Sequence, residues 1–380
     1  MKSKQTLCTL SELANFRNGK FISSSNYSES GKFPVYGSNG KIANSNKCLN
    51  KNPVIVIGRV GAYCGSLHKI NRPSWTTDNS IVVEPKDNID FNFLYYKLKT
   101  LNLQNRDTGS AQGLLTQNSL KTISTKIPAF REQKRIGQIL EILDKKITIL
   151  EKHNSILEKI IDTIFKSWFI DFVDTEEFVD SELGQIPKGW KVSTIGNELK
   201  IHTGGTPSRK KVEYWKNGSV AWIGSKKINE LRIIQADEFI SEKGRQNSST
   251  IQIPARTTVI AIIGNTIGKV SLTEINCCIN QNIAAILSNE KLSSEFIYPW
   301  IKHMINEIVS WKSGGAQASL NQNAVKQTPL LIPDSISMKK YSELVKPLFD
   351  QICSNYFEIN GIIQLRDLLL PKLLSGEIVV

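Results

Sequence analysis

Residues 130–168 read FREQKRIGQILEILDKKITILEKHNSILEKIIDTIFKSW. Ile136, Leu140, Leu143, Ile147, Leu150, Leu157, Ile161, Ile164 and Trp168 fall at alternating steps of four and three, and Asn154 fills the one polar slot. That spacing predicts a long helix with a heptad seam, not a merely amphipathic surface helix. A second pattern runs through Val345, Leu348, Ile352, Ile359, Ile362 and Leu369. Asn355 and Arg366 interrupt it, and Pro347 is expected to kink the helix or delay its start. The simplest way to bury two such seams is against each other. Pseudo-twofold packing would make the helices antiparallel, with one globular head at each end and Asn154 setting the register.

The second seam is the first one shifted by 205 positions, and the shift extends beyond the helices. Gly109-Ser110-Ala111-Gln112-Gly113-Leu114-Leu115-Thr116-Gln117-Asn118 matches Gly314-Gly315-Ala316-Gln317-Ala318-Ser319-Leu320-Asn321-Gln322-Asn323. Near the same offset Val54 to Gly58 matches Ile260 to Gly264, and Asp78-Asn79 matches Gln281-Asn282. A period this long is not a solenoid repeat; it predicts a duplicated domain-plus-connector unit. Each block ahead of its helix has short β-branched runs separated by Gly, Asn, Ser and Pro, with one helix near Phe91–Leu101 or Ser294–Trp311. The expected fold class is α+β. Strand-rich heads span residues 1–128 and 181–333, and helical spacers span 129–180 and 334–380.

Charge follows the same division. The net charge is +13, of which residues 1–128 carry +10 and residues 190–333 carry +7, while 129–189 and 334–380 are mildly acidic. Two separate basic blocks are the footprint of a polyanion partner. Residues 130–168 as one helix would span roughly 60 Å at ~1.5 Å per residue, more than a duplex turn of about 34–36 Å. Two heads so spaced could read two short sites on one face of DNA.

Other classes find little support. The six cysteines are scattered without a C-x-x-C pair, which fits a reducing cytoplasm better than a disulfide framework or zinc site. The start, Met1 to Gln5, lacks a signal-peptide core, and no apolar run is long enough to span a bilayer. Gly264 to Val270 resembles a Walker A loop but lacks one spacer residue and the closing Ser or Thr. No Pro-Pro occurs, as a methyltransferase base-holding loop would need; the four histidines stand apart; Glu198-Leu199-Lys200 lacks a convincing acidic partner for a nuclease.

DNA contact then falls to side chains of the heads, with Lys and Arg for phosphates and Arg, Lys, Asn, Gln, Ser or Thr for base edges. In the first head the candidates are Tyr36, Ser38, Asn39 and Lys41 on one polar loop, and Arg59, Tyr63, Lys69 and Arg72. In the second they are Thr206, Ser208, Arg209, Lys210 and Lys211, then Ser225, Lys226 and Lys227, with Asn265 and Lys269. Gln112 and Gln317 recur in both heads, which suits loop stabilisation or backbone contact better than base choice. Trp75, Trp222 and Trp311 read as core.

Several motifs, in order, resemble one family. They are Ile127-Pro128 with Arg131-Glu132-Gln133-Lys134-Arg135-Ile136, and Phe165-Lys166-Ser167-Trp168-Phe169-Ile170-Asp171-Phe172. Leu183-Gly184-Gln185-Ile186-Pro187-Lys188-Gly189-Trp190, Thr203-Gly204-Gly205-Thr206-Pro207-Ser208, Tyr214-Trp215, Val220 to Ile223 and Leu368 to Ile378 follow. The chain resembles the specificity subunits of type I restriction-modification systems. The resemblance implies two target recognition domains, each reading half of a bipartite DNA target, and no catalysis or cofactor on this chain. It also implies two methyltransferase subunits carrying S-adenosylmethionine, and restriction-translocase subunits using ATP and Mg. The chain departs from the pattern in two places. Asp334-Ser335-Ile336-Ser337 replaces a Glu-Gln pair after Ile332-Pro333, and the first head has Arg17-Asn18-Gly19-Lys20 where the second has its Gly-Gly-Thr-Pro loop. The heads are therefore expected to read different bases. The competing reading is a stand-alone architectural DNA-binding protein, which would bind tightly without sequence preference.

Overall fold

The computed structural model describes residues 5–106, 114–173, 175–310 and 319–380. By its contacts the chain divides into two units, residues 1–148 with 361–380, and residues 149–360. Each is a mixed helix and strand body.

In the first unit the run Val54–Gly58 is a central strand between Leu67–Ile70 and Ser80–Pro85, all antiparallel, with Ala14–Asn18 at the edge. Strand residues alternate faces. Ile55, Ile57, Ile81 and Val83 therefore pack on the helix Phe91–Lys99, with Phe93, Leu94 and Tyr96. Val54, Val56, Ile70 and Val82 pack on the other side with Tyr36. Both faces are covered, which is why the strand reads as an unbroken apolar run. A smaller sheet joins Gly40–Ser45 antiparallel to Phe33–Gly37, and Phe33–Gly37 parallel to Trp75–Thr76. Thr6–Thr9 and Ser124–Ile127 form an antiparallel pair outside these sheets.

The second unit has the same pairing pattern with additions. Thr258–Ala261 lies between Val270–Thr273 and Ile283–Ile286, and Ile201–Thr203 takes the edge. Arg232–Ile233 is an extra parallel strand on the far side. The smaller sheet pairs Val220–Ile223 antiparallel with Glu238–Ile240 and parallel with Cys277–Ile279, and Ile251–Ile253 is added beyond. The separate antiparallel pair is Lys191–Thr194 with Pro329–Ile332.

The first long helix runs Phe130–Phe169 and the second Ser335–Ser375. In the first unit Ile136 and Leu140 share a core with Leu373 and Leu374, and Arg366 Nη1 meets Asp144 Oδ1 at 2.7 Å. Asp144 also accepts from Tyr96 at 2.6 Å. In the second unit Asn355 Nδ2 donates to Asn154 Oδ1 at 2.7 Å, and the Phe169 and Tyr341 rings lie 4.7 Å apart. Asn355 and Arg366, read from sequence as interruptions of the seam, are thus both partnered.

The helix starts are anchored differently. Buried Gln133 accepts from Asp90 N and donates to Pro128 O. In the second connector Asp334 caps Ile336 and Ser337 with Oδ1 and receives the Trp190 indole N–H on Oδ2 at 2.9 Å. Burial pushes the Asp334 carboxyl up, but those hydrogen bonds outweigh it and hold the group below its ordinary range. The missing Glu-Gln pair therefore leaves the helix start intact. Pro347 lies inside the helix without delaying it. Its cost of ~3 kcal/mol is offset by full burial of Tyr341, Val345, Phe349 and Ile352 around it.

Arg232 is the largest fully buried side chain among the described residues. Nε and Nη2 donate to Glu158 on the first long helix at 3.0 and 2.9 Å, and Nη1 to Glu274 at 2.9 Å. Its guanidinium carbon lies 4.6 Å from the Phe349 ring centre on the second long helix and 5.1 Å from that of Tyr298. Arg256 reinforces the cluster through Glu274 and Asp350. Replacing Arg232 with Met leaves the partly buried Glu158 without its partner and takes one of two arginines from buried Glu274. The expected loss is about 3–5 kcal/mol in urea denaturation, and a loss below ~1 kcal/mol would contradict the assignment.

Candidate nucleic-acid interface

Each unit builds the same corner at the end of its parallel strand pair. In the first, Thr77 N donates to Tyr36 O at 2.9 Å; in the second, Asn280 N donates to Ile223 O at 3.1 Å. Each bond brings a Gly-Ser step, Gly37-Ser38 or Gly224-Ser225, beside a polar turn, Thr77-Asp78-Asn79 or Asn280-Gln281-Asn282. The turn is held from the central strand as well, by Arg59 N to Asn79 O and by Ile262 N to Asn282 O. A glycine presses on each turn from the edge strand. A Cβ at Gly19 would lie 2.1 Å from Thr77 O, and one at Gly204 1.8 Å from Ile279 O. Both approaches exclude any side chain, so Gly19 of Arg17-Asn18-Gly19-Lys20 plays the part of Gly204 without a Gly-Gly-Thr-Pro loop.

The lining differs between the two. In the first unit a cleft of about 500 Å³ is bordered by Phe21, Ser38, Asn39, Tyr63, Asp78 and Asn79, among others. Phe21 and Tyr63 are exposed there. Ser38 Oγ donates to Asn79 O, and Ser66 Oγ donates to Ser38 O. In the second unit a cleft of about 330 Å³ is bordered by Trp222, Ser225, Lys226, Lys227, Asp237, Glu238 and Asn280. The first cleft is lined by apolar and uncharged polar residues with one acid, Asp78; the second is densely charged.

The sequence candidates sort accordingly. Ser38, Asn39 and Tyr63 meet at the first cleft. Tyr36 is half-buried against the strands, and Lys41 borders a neighbouring cleft with Tyr27 and Ile42. Arg59 is partly buried beside the turn, and its Nε has no partner among the described residues. Arg72 is exposed but follows the strand end opposite the corner. Lys69 is committed elsewhere. Its side chain is 14% exposed, lies 3.6 Å from Glu141, donates to Asn92, and sits over Tyr95 and Tyr96. Burial lowers its pKa despite Glu141 and Asp144. It ties its strand to the first long helix, which leaves no open charge for a phosphate.

In the second unit Thr206 Oγ1 donates to Gln281 Oε1 at 2.7 Å, placing the loop of Thr206, Ser208, Arg209, Lys210 and Lys211 beside the turn. All five residues are exposed. Lys211 donates to Tyr214 OH at 3.0 Å. Lys226 is exposed at the cleft and Ser225 half-exposed. Lys227 is only 6% exposed and bridges Glu230 and Asp237. Burial works to lower its pKa, but the two carboxylates outweigh that and raise it. It shapes the cleft floor. Asn265 and Lys269 are exposed on the hairpin between Thr258–Ala261 and Val270–Thr273, which takes the place of the Tyr63 loop in the first unit. Phe21, Asp237 and Glu238 were not picked out from sequence, and Asp78 and Trp215 stood out there only as motif residues. Gln112, Gln317 and Trp311 lie outside the described residues. Trp222 is buried, and its indole N–H donates to Gly205 O; that of the half-buried Trp75 donates to Lys20 O.

A sequence profile of the type I restriction modification DNA specificity domain matches residues 3–159 and 187–356. The chain belongs to that family. It is a DNA-recognition protein of type I restriction-modification, a specificity subunit without catalytic activity of its own. It is similar to the type I restriction enzyme MjaIX specificity subunit of Methanocaldococcus jannaschii, 31% identical over 307 residues, covering 77% of this chain and 70% of that protein. It is also similar to the type I restriction enzyme HindI specificity subunit of Haemophilus influenzae, 26% identical over 327 residues, covering 70% and 71%. Its fold is that of the type I restriction-modification S subunit from M. genitalium, with a TM-score of 0.70 at 17% identity over 98% of this chain and 96% of that one. No helix among the described residues is long and apolar enough to cross a membrane.

Replacing Lys226 with Ala removes an exposed charge without touching the cleft floor. Duplex DNA binding should weaken, and the slope of log affinity against log salt should fall by about one. An unchanged slope in salt-titrated binding assays would remove Lys226 from the interface.

Proposed function

We propose that the specificity subunit reads an asymmetric bipartite DNA target, with one half-site at the corner of each head. One observation carries this reading: a single backbone corner is built twice and lined with different side chains. Common geometry suits a common task, and different linings suit different bases. In this reading residues 1–128 and 181–333 are the target recognition domains, and 129–180 and 334–380 the helical spacers. The candidate contacts are those that reach the two corners.

The spacer helices would form an antiparallel coiled coil with pseudo-twofold symmetry. Supporting this, partners pair low with high along the chain: Asn154 with Asn355 and Phe169 with Tyr341 in one unit, Asp144 with Arg366 in the other. The coil would set the gap between half-sites and dock two methyltransferase subunits. Ile149, Ile156 and Ile160 are exposed on the first helix, as a docking face requires. S-adenosylmethionine would sit on those partners, ATP and Mg on restriction-translocase subunits, and no cofactor on this chain. A reducing cytoplasm suits six cysteines scattered without a C-x-x-C pair.

The test exchanges residues 1–128 for the first head of another family member and sequences DNA methylated by the reconstituted complex. One half-site should change while the other half-site and the gap persist. A change in both half-sites would show that the heads do not read independently.

A further inference from the structure

The corner of the second head holds an arginine over aromatic rings, which no cation of the first corner matches among the described residues. Arg209 sits over an aromatic base, its guanidinium carbon 3.5 Å from the Trp215 ring centre and 5.4 Å from that of Trp222. The base is itself braced. The two indoles meet edge-on at 5.2 Å, and their N–H groups donate to Ser208 O and Gly205 O of the Arg209 loop. Glu238, on the cleft wall, accepts from Arg209 Nη2 at 2.5 Å. Arg209 still exposes 54% of its side chain.

This arrangement is ill-suited to a phosphate and well-suited to a base. A phosphate contact needs charge above all, and a carboxylate at the cation both offsets that charge and repels the backbone. Base reading instead needs a fixed plane that presents parallel donors, because guanine offers O6 and N7 side by side in the major groove. Stacking on Trp215 fixes the plane, and Glu238 fixes the rotation within it. The remaining N–H groups of the fork are then pre-oriented, so little freedom is lost on binding.

We propose that Arg209 reads a guanine in the half-site of the second head, with Glu238 and Trp215 as its positioning residues. The proposal rests on the reading that this corner faces DNA. In the first head the matching loop is Gly19-Lys20-Phe21, and no arginine of that cleft is stacked in this way among the described residues. The effect therefore belongs to one half-site only.

The experiment compares R209A, R209K, E238Q and K226A, each in the complex with its methyltransferase subunits. Readouts are duplex affinity and the methylated motif from single-molecule sequencing. R209A should relax one G·C position in one half-site, with a loss of discrimination of about 5- to 150-fold, leaving the other half-site unchanged. R209K keeps the charge and the fold yet should relax the same position, because an ammonium cannot present the fork. E238Q should relax it more weakly. A uniform loss of methylation with an unchanged motif in R209A and R209K would make Arg209 a phosphate contact and overturn the proposal. An unchanged motif with K226A still weakening DNA binding would overturn it while sparing the corner. If neither R209A nor K226A altered affinity or motif, the assignment of the corner to DNA would fail with it.

Discussion

A buried amide pair fixes how the two long helices meet. Asn355, 1% exposed, and Asn154, 4% exposed, lie among mainly aliphatic and aromatic residues. An amide removed from water costs about 1–3 kcal/mol when its partner is missing. Any slip of the seam would set both amides against aliphatic neighbours. Gln351 and His153 add to the pair, at 2.8 and 3.3 Å from Asn355. Aliphatic packing alone tolerates several registers; the amide pair selects one. In the proposed architecture that register would also set the gap between half-sites.

The heads follow a second economy of design. Each is held to helix surfaces by a charged cluster within its own unit. Lys69, Glu141, Tyr96, Asp144 and Arg366 do this in one, and Arg232, Glu158, Glu274 and Arg256 in the other. Such clusters are poor sources of net stability, because desolvation opposes the ion pairs, but they penalise a wrong orientation heavily. Base recognition gains from that. A reading side chain on a tilting head would lose its hydrogen-bond geometry, whereas a corner pinned from strand, turn and glycine does not.

Much of this was legible in the sequence, because periodicity reports burial directly. The heptad from Ile136 to Trp168 gave the long helix, and the β-branched runs gave the central strands. Pro347 misled because its local cost is outweighed by tertiary burial around it. Lys69 misled because composition cannot distinguish an ammonium bound for phosphate from one folded onto Glu141. The corner itself was half visible. Ser38 and Ser225 were picked out, but their equivalence was hidden. The second head inserts the strands Arg232–Ile233 and Ile251–Ile253 between its Gly-Ser step and its turn, so the two corners do not share the period of the helices. The carboxylates Asp237 and Glu238 carried no signal at all, since acids in a basic block look like solvated surface until their partners are seen.

The central proposal, that matched helices would set the gap between two half-sites, is tested most directly by lengthening both helices together. Seven residues inserted after His153, with seven more in the second helix beside Asn355, preserve the heptad register and add about 10 Å at ~1.5 Å per residue. Sequencing of DNA methylated by the reconstituted complex should then show both half-sites unchanged and the gap longer by about three base pairs, at ~3.4 Å each. A folded, active complex whose methylated motif keeps its original gap would contradict the account.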